Sequence, residues 1–218
     1  MFDIVERFIT LSGEAPIPGK PVLLIRFAGC NLSCEYCDTP YKNEIQETRS
    51  IDELRTIIVN ETKRYPGLSV LLTGGEPLWC GRAESILQLV ADLPTIHFYI
   101  ETNGACPIPA TDLSNIHFVT DWKAPSSGHE GSFLAENLAT MKPDRDCLKI
   151  VIAKNDLTWT LQTVQFLSSE HPRLPIYLSP QWESITPAEC AVFILDNALP
   201  VSLSLQMHKI IWGDKRGV

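Results

Sequence analysis

Short apolar runs alternate with amphipathic segments along almost the whole chain. The runs predict buried strands, with a half-buried edge strand last, at 21–27, 69–73, 96–100, 116–120, 147–153, 175–179 and 201–206. Apolar strands that alternate with helices are typical of parallel β/α units. Because 218 residues are few for a closed eight-stranded barrel, we predict an α/β fold: a partial, (β/α)6-like TIM-type barrel of mostly parallel strands. One domain is expected to span 1–218.

Capping signals mark several of the predicted helices. Ser50 with Glu53, and Thr186 with Glu189, have the spacing of a capping box. Asn155 is predicted to cap the helix that follows the run at 147–153. These local signals support helices between the strands.

Charge and cysteine content restrict the class of protein. The net charge is −8 and no block of Lys or Arg is present, which argues against nucleic acid or an anionic membrane as the main partner. No basic segment followed by an apolar run opens the chain, and no apolar run reaches the roughly 18 residues of a membrane span, so neither a signal peptide nor a membrane is expected. Four of the seven cysteines are scattered singly, which favours reduced thiols and a cytoplasmic location: Cys80, Cys106, Cys147 and Cys190.

The stretch CNLSCEYCDTP follows the first predicted strand and contains Cys30, Cys34 and Cys37. Three thiolates on one short loop can bind three irons of a [4Fe–4S] cluster and leave the fourth iron open to a ligand. A structural zinc with a remote fourth ligand, such as a histidine, is an alternative. Unpaired thiols without a metal are another.

Polar loops follow the next three predicted strands. They are TGGEP (73–77), ETNG (101–104) and DWKAPSSG (121–128). The carboxyl ends of parallel strands meet at one edge of a sheet or one mouth of a barrel, so these loops should face the cysteine loop. The sequence therefore predicts one site at this edge.

Together, C-x3-C-x2-C after one strand and GGEP after the next resemble the radical S-adenosylmethionine (SAM) enzymes. Further segments resemble the 7-carboxy-7-deazaguanine synthases within that superfamily: TLSGEAPIPGKPVLLIRFAGCNLSCEYCDTP, ETNG, KAPSSG, LKIVI and LQMHKIIWGDKRGV. The likeness spans about 8–218. It implies a lyase of queuosine biosynthesis that converts 6-carboxy-5,6,7,8-tetrahydropterin to 7-carboxy-7-deazaguanine with loss of ammonia, using SAM that is regenerated.

The resemblance also implies roles for individual residues. The cluster ligands would be Cys30, Cys34 and Cys37, and the SAM contacts would be Tyr36, Cys37, Asp38, Gly74, Gly75, Glu76, Asp121, Trp122 and Lys123. Thr39 would offer its hydroxyl to Mg²⁺. The pterin pocket would be lined by Leu11, Ser12, Gly13, Glu14, Arg26, Thr73, His208 and the carboxylate of Val218. A homodimer and an external electron donor of flavodoxin or ferredoxin type are implied as well.

Several of these side chains have a structural interpretation that stays open. Arg26 and Lys123 could simply be paired with acids, Thr39 could cap a turn, and His208 could lie in the core on the last predicted strand. Two departures bear on the substrate: Ser12 and Ala15 replace a glutamine and a glycine of the family pattern.

Two other functions of the protein also stay open. One is another radical SAM enzyme, such as a glycyl-radical activase. The other is a non-catalytic zinc or iron–sulfur module.

Overall fold

In the computed structural model, residues 1–14, 16–213 and 215–218 are described, and nine strands form one sheet in the order β3-β1-β2-β4-β5-β6-β7-β8-β9. The strands are β1 (Phe2–Leu11), β2 (Pro21–Phe27), β3 (Glu47–Arg49), β4 (Ser69–Gly74), β5 (Phe98–Thr102), β6 (Ile116–Asp121), β7 (Cys147–Ile152), β8 (Ile176–Pro180) and β9 (Ser202–Leu203). The helices are α1 (Ile51–Arg64), α2 (Arg82–Ala91), α3 (Glu136–Thr140), α4 (Leu157–Glu170), α5 (Pro187–Asp196) and α6 (Met207–Trp212).

Six successive strands, β2 and β4 to β8, pair in parallel, and the short β9 extends this array. The sheet stays open, with β3 at one edge and β9 at the other. This confirms the prediction of an α/β fold with a partial barrel of mostly parallel strands. That one domain spans 1–218 stays a prediction.

The two strands nearest one edge were not predicted. β1 runs antiparallel to β2, and β3 pairs antiparallel with β1. Glu6 and Arg7 interrupt the apolar pattern of β1, and β3 lies in the segment 41–50 that reads as a polar connection. Their pairing depends on partners elsewhere in the chain, so no local signal marks them.

The helices agree with the capping signals at two sites and differ at a third. Both capping boxes form, at Ser50 for α1 and at Thr186 for α5. The prediction that Asn155 caps α4 is wrong, because a 3-10 turn at Lys154–Asp156 precedes that helix. The Asp156 carboxylate accepts the Ala153 N–H at 2.7 Å instead.

The end of the described chain differs from the expected edge strand. Only Ser202–Leu203 pairs with β8 as a strand, and α6 begins at Met207. The prediction that His208 lies on a strand is therefore wrong, because the residue is helical. Among the described residues, none of the helices combines the length and the apolar character that crossing a bilayer requires.

Alternation along the parallel strands divides the sheet into two chemically different faces. On one face, side chains such as Ile25, Leu72 and Ile150 are fully buried and belong to the main core with Leu54 of α1 and Leu89 of α2. The next residue along each of these strands points to the opposite face. That opposite face is where the polar side chains collect.

Candidate active site

A cavity of about 710 Å³ lies at the carboxyl ends of the parallel strands. The loops after β2, β4, β5 and β6 all contribute to its wall, as the order of the polar motifs predicts. The predicted site residues that line it are Leu11, Gly13, Glu14, Arg26, Cys30, Cys34, Tyr36, Cys37, Asp38, Thr39, Thr73, Gly74, Gly75, Asp121, Lys123, His208 and Val218. The cavity thus brings the cysteine loop and the expected pterin pocket together.

Four polar side chains from the parallel strands β2, β4, β5 and β7 form the floor of the cavity: Arg26, Thr73, Glu101 and Lys149. Each lies one position away from a residue of the apolar core, so strand alternation directs all four to the face away from α1 and α2. Arg26 and Thr73 are direct neighbours across β2 and β4. The floor can therefore offer a fixed cation and several oxygen acceptors to one ligand.

Arg26 is paired within the protein and also faces the cavity. Its Nε donates to Glu6 Oε1 at 2.6 Å, and the arginine side chain is 16% exposed. Burial would raise the pKa of Glu6, but hydrogen bonds and charge from Arg26 and Arg216 lower it. The ion pair and the pocket position are therefore compatible, because the pair uses one edge of the guanidinium.

Glu14 is held by a buried lysine. Lys149 Nζ lies 2.7 Å from Glu14 Oε2, and Gln206 Nε2 donates to Oε1 at 3.1 Å. Burial alone would raise the pKa of Glu14, but the charge and hydrogen bond of Lys149 lower it to about 2. Burial would lower the pKa of Lys149, yet Glu14 and Glu101 raise it well above its usual value. Both members of the pair are charged at neutral pH.

His208 and Gly13 are in close contact where α6 meets the loop after β1. The Met207 N–H donates to Gly13 O at 2.8 Å. A Cβ at Gly13 would lie 2.1 Å from His208 Nδ1, so only glycine allows the imidazole to pack there. Burial lowers the pKa of His208, which favours the neutral ring. The sequence suggests no such contact, since the two residues are far apart along the chain.

The cysteine loop presents three free thiols to the cavity. Cys30 and Cys34 are partly exposed and Cys37 is exposed. Leu32 N–H donates to Cys30 Sγ at 3.4 Å, and Asn103 Nδ2 lies 3.7 Å from the same sulfur. Among the described residues, no three His, Cys, Asp or Glu side chains form a group suited to one metal ion. A [4Fe–4S] cluster makes a different demand, because each cysteine binds its own iron, and three accessible thiols with N–H donors nearby fit it.

The two glycines at the end of β4 and just after it allow the backbone to approach the cysteine loop. Gly74 has φ +138°, and a Cβ at Gly75 would lie 1.8 Å from Gly29 O. The neighbouring Glu76 does not line the cavity. Its fully buried carboxylate accepts hydrogen bonds from Leu78 N, Thr102 Oγ1 and Asn103 N at 2.7–2.9 Å, which joins the loops after β4 and β5.

The last residue of β6 and the loop that follows it place an ion pair beside the cysteine loop. Lys123 Nζ lies 2.7 Å from Asp121 Oδ2 and 5.8 Å from the centre of the Tyr36 ring. Within the described part of the chain, Asp121 Oδ1 and the Tyr36 hydroxyl are buried without a hydrogen-bond partner. Such orphaned groups are typical of a surface that a polar ligand completes, which fits the expected SAM contacts. Trp122 does not line the cavity and instead stacks on Phe133 at 4.2 Å.

The remaining predicted residues occupy the rim or lie behind it. The buried Thr39 hydroxyl donates to Asp38 Oδ1 at 3.0 Å, and this oxygen pair suits a hard cation such as Mg²⁺. Ser12 is buried and does not line the cavity, and its hydroxyl donates to the Glu14 carbonyl at 3.1 Å. Ala15 lies outside the described residues.

Sequence reasoning did not identify several of the cavity residues, among them Glu6, Lys149 and Gln206. A charged residue inside an otherwise apolar strand is the signal that could have identified Lys149, whereas the family resemblance indicated Arg26. Glu6 lies on a strand that was not predicted. No local sequence pattern marks Gln206, which the folding of the chain brings to the site.

Comparison with known proteins gives a consistent result. A profile of the radical SAM superfamily matches residues 24–112. The 7-carboxy-7-deazaguanine synthase of Clostridium acetobutylicum is 34% identical over 223 aligned residues, which cover 100% of this chain and 99% of that protein. Those of Chlorobaculum tepidum and Thermoplasma acidophilum are 34% and 33% identical; the alignments cover 99% of this chain in both cases, and 97% and 99% of the relatives.

A solved structure shares the fold. The crystal structure of QueE from Escherichia coli superimposes with a TM-score of 0.71 at 23% identity, covering 95% of this chain and 94% of that one.

Proposed function

This chain belongs to the 7-carboxy-7-deazaguanine synthase family of radical SAM enzymes, and we propose that it converts 6-carboxy-5,6,7,8-tetrahydropterin to 7-carboxy-7-deazaguanine by ring contraction with loss of ammonia. Family membership makes it a lyase of the queuosine pathway whose cofactors are a [4Fe–4S] cluster and SAM. The observation that carries the substrate proposal is the lining of the cavity. Arg26 and Glu14 face the same space as the three cysteines.

The lining of the cavity matches the chemistry of a carboxylated pterin. Arg26 can pair with the substrate carboxylate, because a guanidinium offers parallel N–H donors to a planar anion. Glu14 can accept from the N–H groups of the pterin ring, since its low pKa keeps it ionised. Thr73 and His208 would complete the pocket from the floor and from α6.

The cofactors would lie at the carboxyl ends of β2 to β6. Cys30, Cys34 and Cys37 would bind the cluster, and Asp121 with Lys123 would bind SAM beside Tyr36. When bound, the cluster and SAM supply the electron and the radical that begin the reaction. The task of the protein is to position the substrate and to exclude water and other hydrogen donors from the cavity.

Magnesium and the protein partners belong to the same proposal. Thr39 would contribute one oxygen ligand to Mg²⁺, with water and substrate oxygens as the others. A flavodoxin or ferredoxin would deliver the electron, and the enzyme would work as a homodimer. The seven cysteines are free in the structure, which supports a cytoplasmic enzyme.

The test is anaerobic reconstitution with iron and sulfide, followed by SAM, reductant, Mg²⁺ and the tetrahydropterin, with products read by mass spectrometry. We expect 7-carboxy-7-deazaguanine with SAM recovered. Formation of 5′-deoxyadenosine without the deazaguanine would refute the substrate and retain a radical SAM enzyme of another kind. A protein that binds zinc but no iron or sulfide would contradict the radical chemistry altogether.

A matched pair of cysteine variants tests the cluster ligands. Cys34→Ala should lose the cluster iron and SAM cleavage, while Cys80→Ala should keep both, because Cys80 is exposed and does not line the cavity. Retention of the cluster in Cys34→Ala would remove that residue from the ligand set.

A further inference from the structure

Glu6 is a buried acid that the proposed reaction does not use. It lies on β1 directly opposite Arg26 of β2 in the sheet register. Its side chain is only 8% exposed, and it lines the cavity. Burying a carboxylate is costly unless it is well paired, so its contacts should indicate its role.

The two oxygens of Glu6 contact different parts of the molecule. Oε1 accepts from Arg26 Nε at 2.6 Å and from the Tyr41 hydroxyl at 3.3 Å. Oε2 accepts from Arg216 Nε at 3.1 Å. One carboxylate therefore joins the floor of the cavity to a residue 210 positions later in the chain.

Arg216 belongs to a segment that crosses the cavity after α6. We call residues 213 and 215–218 the C-terminal tail; all of them line the cavity. Arg216 stacks over the Tyr41 ring at 3.6 Å and lies 3.5 Å from Glu44. Its side chain is 39% exposed, whereas that of Glu6 is almost fully buried, so Glu6 provides the fixed end of this contact.

We propose that Glu6 is a positioning residue that orients Arg26 for the substrate carboxylate and fastens the C-terminal tail over the cavity through Arg216. Pairing at Nε fixes the plane of the Arg26 guanidinium and leaves its terminal nitrogens for a planar anion. Without the Glu6 charge, two arginines would face each other with no anion between them, and the more exposed one would leave. The orientation of Arg26 toward a substrate rests on the proposed function, whereas the fastening of the tail does not.

The first experiment measures the tail alone. Holoenzyme without substrate is treated with carboxypeptidase under anaerobic conditions, and the loss of Val218 and Gly217, which all variants share, is followed by intact mass. Glu6→Gln and Arg216→Gln should each be digested about tenfold faster or more, since the tail opens locally when its contact is lost.

Glu47→Gln is the matched control for the tail experiment. Glu47 also holds two arginines, Arg7 and Arg49, and its side chain is 20% exposed, but it does not line the cavity. It should be digested at the wild-type rate. Digestion of both Glu6→Gln and Arg216→Gln at the wild-type rate would overturn the fastening role. If Glu6→Gln fails to fold, the result for Arg216→Gln decides alone. That variant should fold, because the Arg216 side chain is partly exposed.

The second experiment measures pterin binding without reductant, by equilibrium dialysis, so that no turnover is required. Glu6→Gln should weaken binding about tenfold with unchanged SAM affinity and iron content, and Glu6→Asp should restore part of it. Unchanged pterin affinity in Glu6→Gln would overturn the orienting role. If the wild-type protein itself does not bind the pterin, the proposed function fails, and the digestion result still decides the fate of the tail contact.

Discussion

At the scale of single residues, two lysine–glutamate pairs differ chiefly in burial. The side chains of Lys149 and Glu14 are each 13% exposed, whereas those of Lys154 and Glu189 are 67% and 45% exposed. Breaking a buried pair leaves an uncompensated charge in the interior, while an exposed charge is solvated by water. The same type of contact should therefore matter very differently at the two sites.

Lys149→Met tests this difference. We expect the free energy of unfolding to fall by about 3–5 kcal/mol, because Glu14 would be buried without its cation. Lys154→Met serves as the control and should change stability little. Urea unfolding at neutral pH measures both variants. Equal losses for the two would contradict the assignment of Lys149 as a buried partner.

Arg26 supports a second prediction at this scale. Arg26→Gln should weaken pterin binding by about 2–3 kcal/mol, the contribution of a charged hydrogen-bonded pair, and leave SAM binding intact. Arg7→Gln is the control, because Arg7 pairs with Glu47 on the neighbouring strand and does not line the cavity. Equilibrium dialysis measures the pterin affinity of both variants. An unchanged pterin affinity in Arg26→Gln would exclude Arg26 from the pocket.

At the scale of elements, α6 is held to the rest of the protein mainly by polar and local contacts. It contains no buried residue. Its first N–H bonds to Gly13, and His208 occupies the space that a Cβ at that glycine would take. His208 of α6 can therefore pack in its place only because position 13 in the loop after β1 has no side chain.

A double-mutant cycle tests that dependence. Gly13→Ala should displace His208 and weaken pterin binding about tenfold. In a protein that already carries His208→Ala, the same glycine change should have little further effect, because the clash is gone. Additive losses in the two backgrounds would show that Gly13 acts through something other than His208.

The elements also show what the sequence could predict. The six parallel strands and both capping boxes were predictable because their signals are local: apolar runs, and a hydroxyl three residues before a glutamate. β1 and β3 were not predictable, because each is defined by pairing with a distant strand. The prediction of Asn155 as a cap was wrong. A 3-10 turn precedes α4, and the carboxylate of the next residue, Asp156, accepts the hydrogen bond.

The same distinction applies to the site. Cysteine spacing and the loops after β2, β4 and β6 indicated the cavity, because motif and strand order are both visible in the sequence. The partners of the pocket residues were not visible. Lys149 beside Glu14, and Glu6 beside Arg26, are brought together by sheet register and by the fold of the tail.

At the scale of the whole molecule, the cavity is closed by segments that contribute little to the core. Deletion of residues 207–218 should therefore preserve cooperative unfolding, iron content and SAM binding, while pterin binding is lost. Deletion of residues 187–218 is the contrasting variant. It also removes α5 with the fully buried Cys190, so it should fail to fold. Circular dichroism and dialysis measure both, and wild-type pterin affinity in the shorter deletion would contradict a role for α6 and the C-terminal tail.

The contact between Glu6 and Arg216 also has a consequence for biosynthesis. At usual rates of translation, roughly 10–35 s separate the appearance of the cysteine loop from that of Arg216. During this interval the ribosome holds a chain whose thiols have been made but whose cavity has no cover. For a cluster inserted in that period, the C-terminal tail does not cover the site, and the contact between Glu6 and Arg216 forms afterwards.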